Sequence, residues 1–126
     1  MVTVTFPVSC EVAFDYLADP TRRPEWQSSL ARVEDVDGKP RVGQTWVDVT
    51  RPGLRPRMET TVLDRPHRWA ERGTWRGITA TLVLEFAETP TGCDVSASFE
   101  IARPLRRPAL WAVRSDLRRA AGRLQA

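Results

Sequence analysis

Histidine and cysteine are scarce in this sequence: His67, Cys10 and Cys93 are the only ones among 126 residues. Clustered histidine and cysteine ligands for zinc cannot be assembled from so few side chains, and no other metal or cofactor is expected. A chain of this length can bury one core without covalent help. We therefore expect the two cysteines to be small buried residues or thiols near the surface, and not a disulfide.

Long apolar runs are also absent. The longest candidate, Pro108 to Val113, is followed by Arg114 and is too short to cross a bilayer. The N-terminal segment has no basic region, and Glu11 and Asp15 interrupt its apolar residues, so a secretory signal is not expected. With a mean hydropathy of −0.38, the sequence predicts a cytoplasmic protein.

Signatures of several familiar catalytic mechanisms are missing. Ser9, Ser28 and Ser29 have no nearby base and no nucleophile-elbow glycines, and the glycines do not form a phosphate-binding loop. His67 lies in a proline-containing turn between arginines and is expected to be exposed to solvent. Hydrolysis by a serine triad is therefore not indicated.

The charge is distributed unevenly along the chain. The net charge is +3, but residues 103–126 contain seven arginines and one acid and carry +6. Genome base composition is an alternative explanation, because the chain has a single lysine. The proportions of 41% hydrophobic and 28% charged residues are ordinary for a globular protein, and the length predicts a single domain over residues 1–126.

The first third of the chain predicts a strand and two short helices. Residues 2–6 alternate with a period of two, as a strand does. Ser9 can cap a helix that ends at Asp19-Pro20, and Pro24 can open a second helix that carries Trp26. From residue 31 the pattern changes to short strands separated by turns, at 31–36, 44–50, 57–64, 68–75, 79–87 and 93–102. Sequential hairpins predict an antiparallel meander of about seven strands, including the first.

A helical period begins after Arg103-Pro104. Seven apolar residues of this segment fall within an arc of roughly 120°, the width of a stripe that faces a core; they are Ala109, Leu110, Val113, Leu117, Ala120, Ala121 and Leu124. The one surface large enough to receive them is an apolar face of the meander. Alternation assigns to that face Trp46, Asp48 and Thr50; Met58, Thr60 and Val62; Trp69, Glu71, Gly73 and Trp75; Leu82, Leu84 and Phe86; and Val95, Ala97, Phe99 and Ile101. The pattern predicts a two-layer α+β fold.

Several segments carry a resemblance to a known family. They are Phe6-Pro7-Val8-Ser9 with the helix up to Pro20, Pro24-Glu25-Trp26, Val42-Gly43-Gln44-Thr45-Trp46, the hairpin 62–69, and Thr91-Gly92-Cys93-Asp94-Val95. Together they resemble the START-like helix-grip superfamily (SRPBCC) and, within it, the polyketide cyclase and dehydrase-like group. The resemblance implies a helix-grip fold, in which a curved sheet wraps around a long C-terminal helix and a cavity lies between the two. Members of the superfamily bind lipids, polyketides, sterols, hormones or quinone tails in this cavity. It does not imply a mechanism, because only some members are enzymes.

This resemblance leads to a set of residues expected to contact an apolar ligand such as a lipid, polyketide or isoprenoid. The alternative is that these side chains simply fill the core, as aromatic residues commonly do. The set is Trp26, Trp46, Met58, Trp69, Trp75, Phe86, Phe99, Val113 and Leu117.

Three polar residues are predicted to point into the same cavity: Asp48, Thr60 and Glu71. They are candidate acid–base groups for an aromatase, cyclase or dehydrase, which is the alternative to a binding function, and Glu71 is the leading candidate. The competing interpretation is that Glu71 forms a salt bridge with an arginine or, after a register error, faces outward.

The C-terminal helix has a second stripe, formed by Arg107, Trp111, Arg114 and Arg118. A tryptophan among arginines on an exposed face is typical of contact with an anionic membrane surface or a protein partner. Nucleic acid is not expected, because no strand motif combines aromatic and basic residues. Cation–π packing within the monomer, or Trp111 lying against the sheet edge, is the alternative.

Overall fold

A computed structural model describes the backbone of residues 1–101 and 103–125, and the side chains of these residues except 103–108. Strand β1 (Val2–Phe6) is followed by helix α1 (Cys10–Ala18), a 3-10 turn (Pro20–Arg22) and the short helix α2 (Arg23–Trp26). Six strands come next: β2 (Leu30–Glu34), β3 (Thr45–Thr50), β4 (Arg57–Asp64), β5 (Arg68–Trp75), β6 (Ile78–Thr89) and β7 (Gly92–Glu100). Helix α3 (Arg103–Gln125) completes the order, and the predicted α+β helix-grip fold is confirmed.

Local signals in the sequence set the start of each early element. The side-chain oxygen of Ser9 accepts a hydrogen bond from the backbone N–H of Val12 and caps α1, as predicted. Asp19 ends α1 and caps the 3-10 turn by accepting from the N–H of Thr21 at 3.0 Å. These caps bring α2 across the end of the sheet, directly before β2.

All seven strands form one antiparallel sheet in the order β1-β7-β6-β5-β4-β3-β2. The C-terminal half of α3 lies on β1 and β7 and buries Leu117, Ala120 and Ala121. Helix α1 covers the neighbouring part of the sheet with Phe14 and Leu17. One end of the sheet is therefore packed solidly, and the other lies under α2 and the N-terminal half of α3.

The predicted register is wrong at one point in β4. A bulge between Thr60 and Val62 places Val62 opposite Ala70 and Leu63 opposite Trp69. Leu63 thus takes the inward position predicted for Val62 and packs against the core. One extra residue in a strand reverses the faces of the residues that follow it, and strict alternation cannot foresee this.

The expectation that the cysteines are unpaired is also wrong. Cys10 and Cys93 form a disulfide, with Cα atoms 5.0 Å apart. Pairing of Phe6 with Cys93 between β1 and β7 brings Cys93 beside the start of α1, which is 83 residues away in sequence. The cytoplasmic location remains a prediction that a disulfide does not favour, because cytosolic thiols are normally kept reduced. Within the described residues, no helix combines the length and apolarity needed to span a membrane.

Replacing both cysteines, Cys10→Ala with Cys93→Ala, should lower the free energy of unfolding by roughly 2–4 kcal/mol, because the unfolded chain loses a large closed loop. Urea denaturation of the variant, and of the wild type with and without dithiothreitol, measures this. Equal unfolding midpoints for reduced and oxidised wild type would contradict the expectation.

Candidate ligand cavity

Two adjoining spaces lie between the sheet and the helices α2 and α3. The larger, of about 340 Å³, extends across β3 to β7, and the smaller, of about 170 Å³, lies beneath α3. Gln27, Glu71, Leu82 and Phe99 line both, so we treat them as one space, called the inner cavity. The larger part alone falls within the usual size range of small-molecule sites.

Two small residues on neighbouring strands, Gly73 and Ala80, line the larger part of the inner cavity. Gly73 pairs with Ala80 on one side and with Met58 on the other. A Cβ atom at Gly73 would lie only 2.9 Å from the Met58 sulfur, so the thioether occupies the room that a side chain would need. Leu54 and Ile78, each 44% exposed, form an apolar rim at the opening.

The structure divides the predicted ligand contacts into two groups. Six of the nine residues line the inner cavity: Trp26, Met58, Trp75, Phe99, Val113 and Leu117. Trp46, Trp69 and Phe86 do not line it. All three are buried in the core: the Phe86 ring lies 5.1 Å from that of Phe14 in α1, Trp69 packs against Arg23, and Trp46 donates to Asp48. Alternation predicted the correct face for all three but not which part of that face is covered.

A buried ion pair between Arg23 and Glu71 connects α2 to the sheet. Arg23 Nη1 donates to Glu71 Oε1 at 2.5 Å and Nη2 donates to Oε2 at 3.0 Å, and each side chain is almost fully buried. Gln27 Oε1 accepts two further hydrogen bonds from the same guanidinium. The arginine salt bridge considered for Glu71 is therefore present, and both oxygens of this carboxylate are occupied.

Two aromatic rings lie close to the Arg23 guanidinium. It lies 5.0 Å from the centre of the Trp26 ring and 5.7 Å from that of Trp69, within the range of cation–π attraction. Burial by itself lowers the pKa of Arg23, but the carboxylate of Glu71 more than offsets this and leaves the pKa above its ordinary value. The cation is thus permanent in the folded protein.

Asp48 is the other buried acid of the larger space and is only 3% exposed. Its Oδ1 accepts from the indole N–H of Trp46 at 2.9 Å, the one hydrogen bond to this carboxylate among the described residues. Burial raises the pKa of Asp48 to about 6; Glu71 adds to the rise, while Arg23 and the Trp46 hydrogen bond oppose it. Asp48 is therefore a titratable group that faces the cavity.

The remaining predicted polar residue, Thr60, has a different position. It pairs with Glu71 across the strands but does not line the inner cavity, and its buried hydroxyl has no hydrogen-bond partner among the described residues. Asp116, which the sequence did not single out, reaches the smaller space from α3 and accepts from the backbone N–H and hydroxyl of Ser28. Burial raises the pKa of Asp116, whereas the Ser28 hydrogen bonds lower it.

Arg23 is the main site residue that sequence reasoning missed. Its only local signal is a position beside Pro24 at the start of α2, and its partner lies 48 residues away. The described residues contain no group of three or more histidine, cysteine or acidic side chains arranged to hold a metal.

Other surface features lie away from the inner cavity. His67 is exposed in the β4–β5 turn, as predicted. On α3, Trp111 is 75% exposed beside exposed Arg114 and Arg118, so it does not lie against the sheet edge. The Arg107 side chain lies outside the described residues, and a membrane or protein contact through this stripe remains a prediction.

A hollow of about 540 Å³ on the opposite sheet face is lined largely by exposed charged side chains and lacks enclosing apolar walls.

Comparison with known proteins decides the family. The sequence profile of the family described as polyketide cyclase / dehydrase and lipid transport matches residues 1–126. The chain belongs to this family. No curated protein sequence is significantly similar to this family member.

Solved structures support the family's fold. Protein MLL2253 from Mesorhizobium loti superposes with a TM-score of 0.79 at 17% identity, over 98% of this chain and 94% of its own. CV1439 from Chromobacterium violaceum gives 0.78 at 12% identity, over 99% and 95%. DynU16, a protein of the dynemicin biosynthetic locus, gives 0.79 at 12% identity over 99% of this chain but 46% of its own. At these identities the likeness concerns the cyclase/dehydrase family fold alone.

Substituting Glu71→Gln should lower the free energy of unfolding by roughly 3–5 kcal/mol, because the Arg23 cation would stay buried without its main counter-charge. Replacing both partners, Arg23→Met with Glu71→Met, removes the charges together and should cost much less. Urea denaturation at pH 7 compares them. A double variant as unstable as Glu71→Gln would show that the charge imbalance is not the cause.

Asp48 should make stability depend on pH in a defined direction. Its folded pKa of about 6 lies above that of an unfolded aspartate, so protonation favours the folded state. The stability that protonated Asp48 contributes to the folded state is fully present below pH 4 and is lost as the pH rises through 6. Relative to wild type, the free energy of unfolding of Asp48→Asn should therefore rise by roughly 2 kcal/mol between pH 4 and pH 7. A stability difference that stays constant over this range would refute the assignment.

Proposed function

We propose that this family member binds an apolar small molecule in the inner cavity. The observation that carries the proposal is a partly open space of about 340 Å³ between largely apolar walls, lined by residues such as Met58, Trp75 and Phe99 and by the small side chain of Ala80. Solid packing of the other end of the same sheet shows that the chain is able to fill its core. The space is therefore a local feature of the sequence and not a general looseness of the fold.

The lining fits an apolar ligand with one polar end. Side chains from β4, β6 and β7 supply hydrocarbon and aromatic surface, while the polar groups gather where α2, β3 and β5 meet. Few polar groups in mostly apolar walls are typical of sites that orient a small molecule. Lipids, polyketides and isoprenoids all have this character, in agreement with the description of the family.

A cyclase or dehydrase reaction is the alternative, and it would depend on Asp48. Both oxygens of Glu71 are held by Arg23, and Thr60 does not reach the inner cavity. Asp48 combines a position in the cavity wall with a pKa of about 6, which suits proton transfer near neutral pH. Asp116 is a second acid in the walls, but it lines only the smaller space whereas Asp48 lines only the larger one. The described residues therefore do not bring two acid–base groups together, and binding is the better-supported function.

The test is to fill the cavity from one strand. Ala80→Leu places three more carbon atoms in the inner cavity and should weaken binding of the neutral dye Nile red about tenfold or more, because the dye and the leucine compete for the same space. Dye fluorescence and quenching of the tryptophan emission report binding.

Ala87→Leu is the matched control, because Ala87 is exposed on the outer face of the same strand. It should leave dye affinity within about twofold of wild type. Equal affinities for the two variants would place the dye elsewhere, and a wild type that binds no dye would count against the proposal as a whole.

A further inference from the structure

The charged groups that face the inner cavity are unbalanced. Helix α2 contributes Arg23, β3 contributes Asp48, β5 contributes Glu71 and α3 contributes Asp116. The described residues that β4, β6 and β7 place in the walls are uncharged. Three carboxyl groups therefore share one guanidinium, and any ligand that enters meets an excess of acid.

The hydrogen-bonding positions that these acids leave unused are all acceptor positions. Arg23 occupies both oxygens of Glu71, and Ser28 donates twice to one oxygen of Asp116. Asp48 uses Oδ1 for Trp46, and its Oδ2 receives no hydrogen bond from the described residues. Because a carboxylate only accepts, Asp48 Oδ2 is an acceptor in the wall of the larger space that no described donor satisfies.

The acids in the cavity walls determine which polar group a ligand can place in the inner cavity. A carboxylate or phosphate would be placed near acids whose counter-charge is already in use, and an ether or ester could not donate to Asp48. A hydroxyl or an amine could, and a hydrogen bond to a buried charged acceptor is among the stronger ones available.

We propose that the occupant of the inner cavity is an apolar molecule bearing a hydrogen-bond donor, a hydroxyl or an amine, which donates to Asp48 Oδ2. This inference rests on the proposed binding function and adds the chemical class of the ligand. It assigns Asp48 as the residue that determines specificity.

The protonation of Asp48 separates the two kinds of donor. Its pKa of about 6 means that the carboxylate is mostly ionised at pH 7.5 and mostly neutral at pH 5. An amine gains from the negative charge and should lose affinity on acidification, with Arg23, Glu71 and Asp116 as the other charged groups in the walls. A hydroxyl can donate to either form and should be much less affected.

The experiment measures displacement of Nile red by four probes with the same twelve-carbon chain, dodecanol, dodecylamine, dodecanoate and dodecyl methyl ether, below their micellar concentrations. For wild type at pH 7.5, the alcohol or the amine should bind about tenfold or more tightly than the carboxylate and the ether. Asp48→Asn retains an oxygen for Trp46 and replaces Oδ2 with an NH₂ group. It should reduce this preference to within about threefold. Asp64→Asn, which removes an exposed acid at the end of β4, should retain it.

The outcomes distinguish this inference from the function on which it rests. If all four probes displace the dye equally, or if Asp48→Asn keeps the wild-type preference, the donor assignment is overturned while binding in the inner cavity stands. If neither the dye nor any probe binds wild type, both fail. Equal loss of preference in Asp64→Asn would trace the selectivity to net charge and also overturn the role of Asp48.

Discussion

The buried contact between Arg23 and Glu71 is the constraint on which the rest of the site depends. A guanidinium this deeply buried requires a counter-charge, and Glu71 provides it through two hydrogen bonds across the gap between α2 and β5. The rings of Trp26 and Trp69 lie within cation–π range of the cation, which is only 2% exposed. Helix α2 has only four residues and could not hold its position by its own hydrogen bonds, so this pair fixes the wall that it forms.

The same pair determines what chemistry remains for a ligand. By using both oxygens of Glu71, Arg23 removes the acid that the sequence pattern favoured for catalysis. It leaves Asp48, which lines the inner cavity, whose pKa is raised by burial and whose second oxygen accepts no hydrogen bond from the described residues. The ion pair with Arg23 thus gives Glu71 a structural role and leaves Asp48 as the acid that a ligand could contact.

Sequence reasoning succeeded where a feature depends on local periodicity. The strand alternation of β5 to β7, the cap at Ser9 and the apolar stripe of α3 were all predictable, because each repeats within a few residues. The bulge after Thr60 and the disulfide between Cys10 and Cys93 were not, since both depend on how distant segments meet. The cavity falls between these cases. The correct face was predicted, but its division into a solid end and an open end depends on where α1 and α3 lie.

That division explains why tryptophan content alone misleads in this fold. Trp46 and Trp69 are buried without lining the inner cavity, whereas Trp26 and Trp75 line it. At the open end the small side chain of Ala80 leaves space, whereas the room beside its paired residue Gly73 is filled by the Met58 thioether. In this sheet a small inward-facing residue therefore marks the ligand space better than the number of tryptophans does. A buried acid with one unused oxygen, at the boundary between the two ends, then marks the part of that space where specificity would arise.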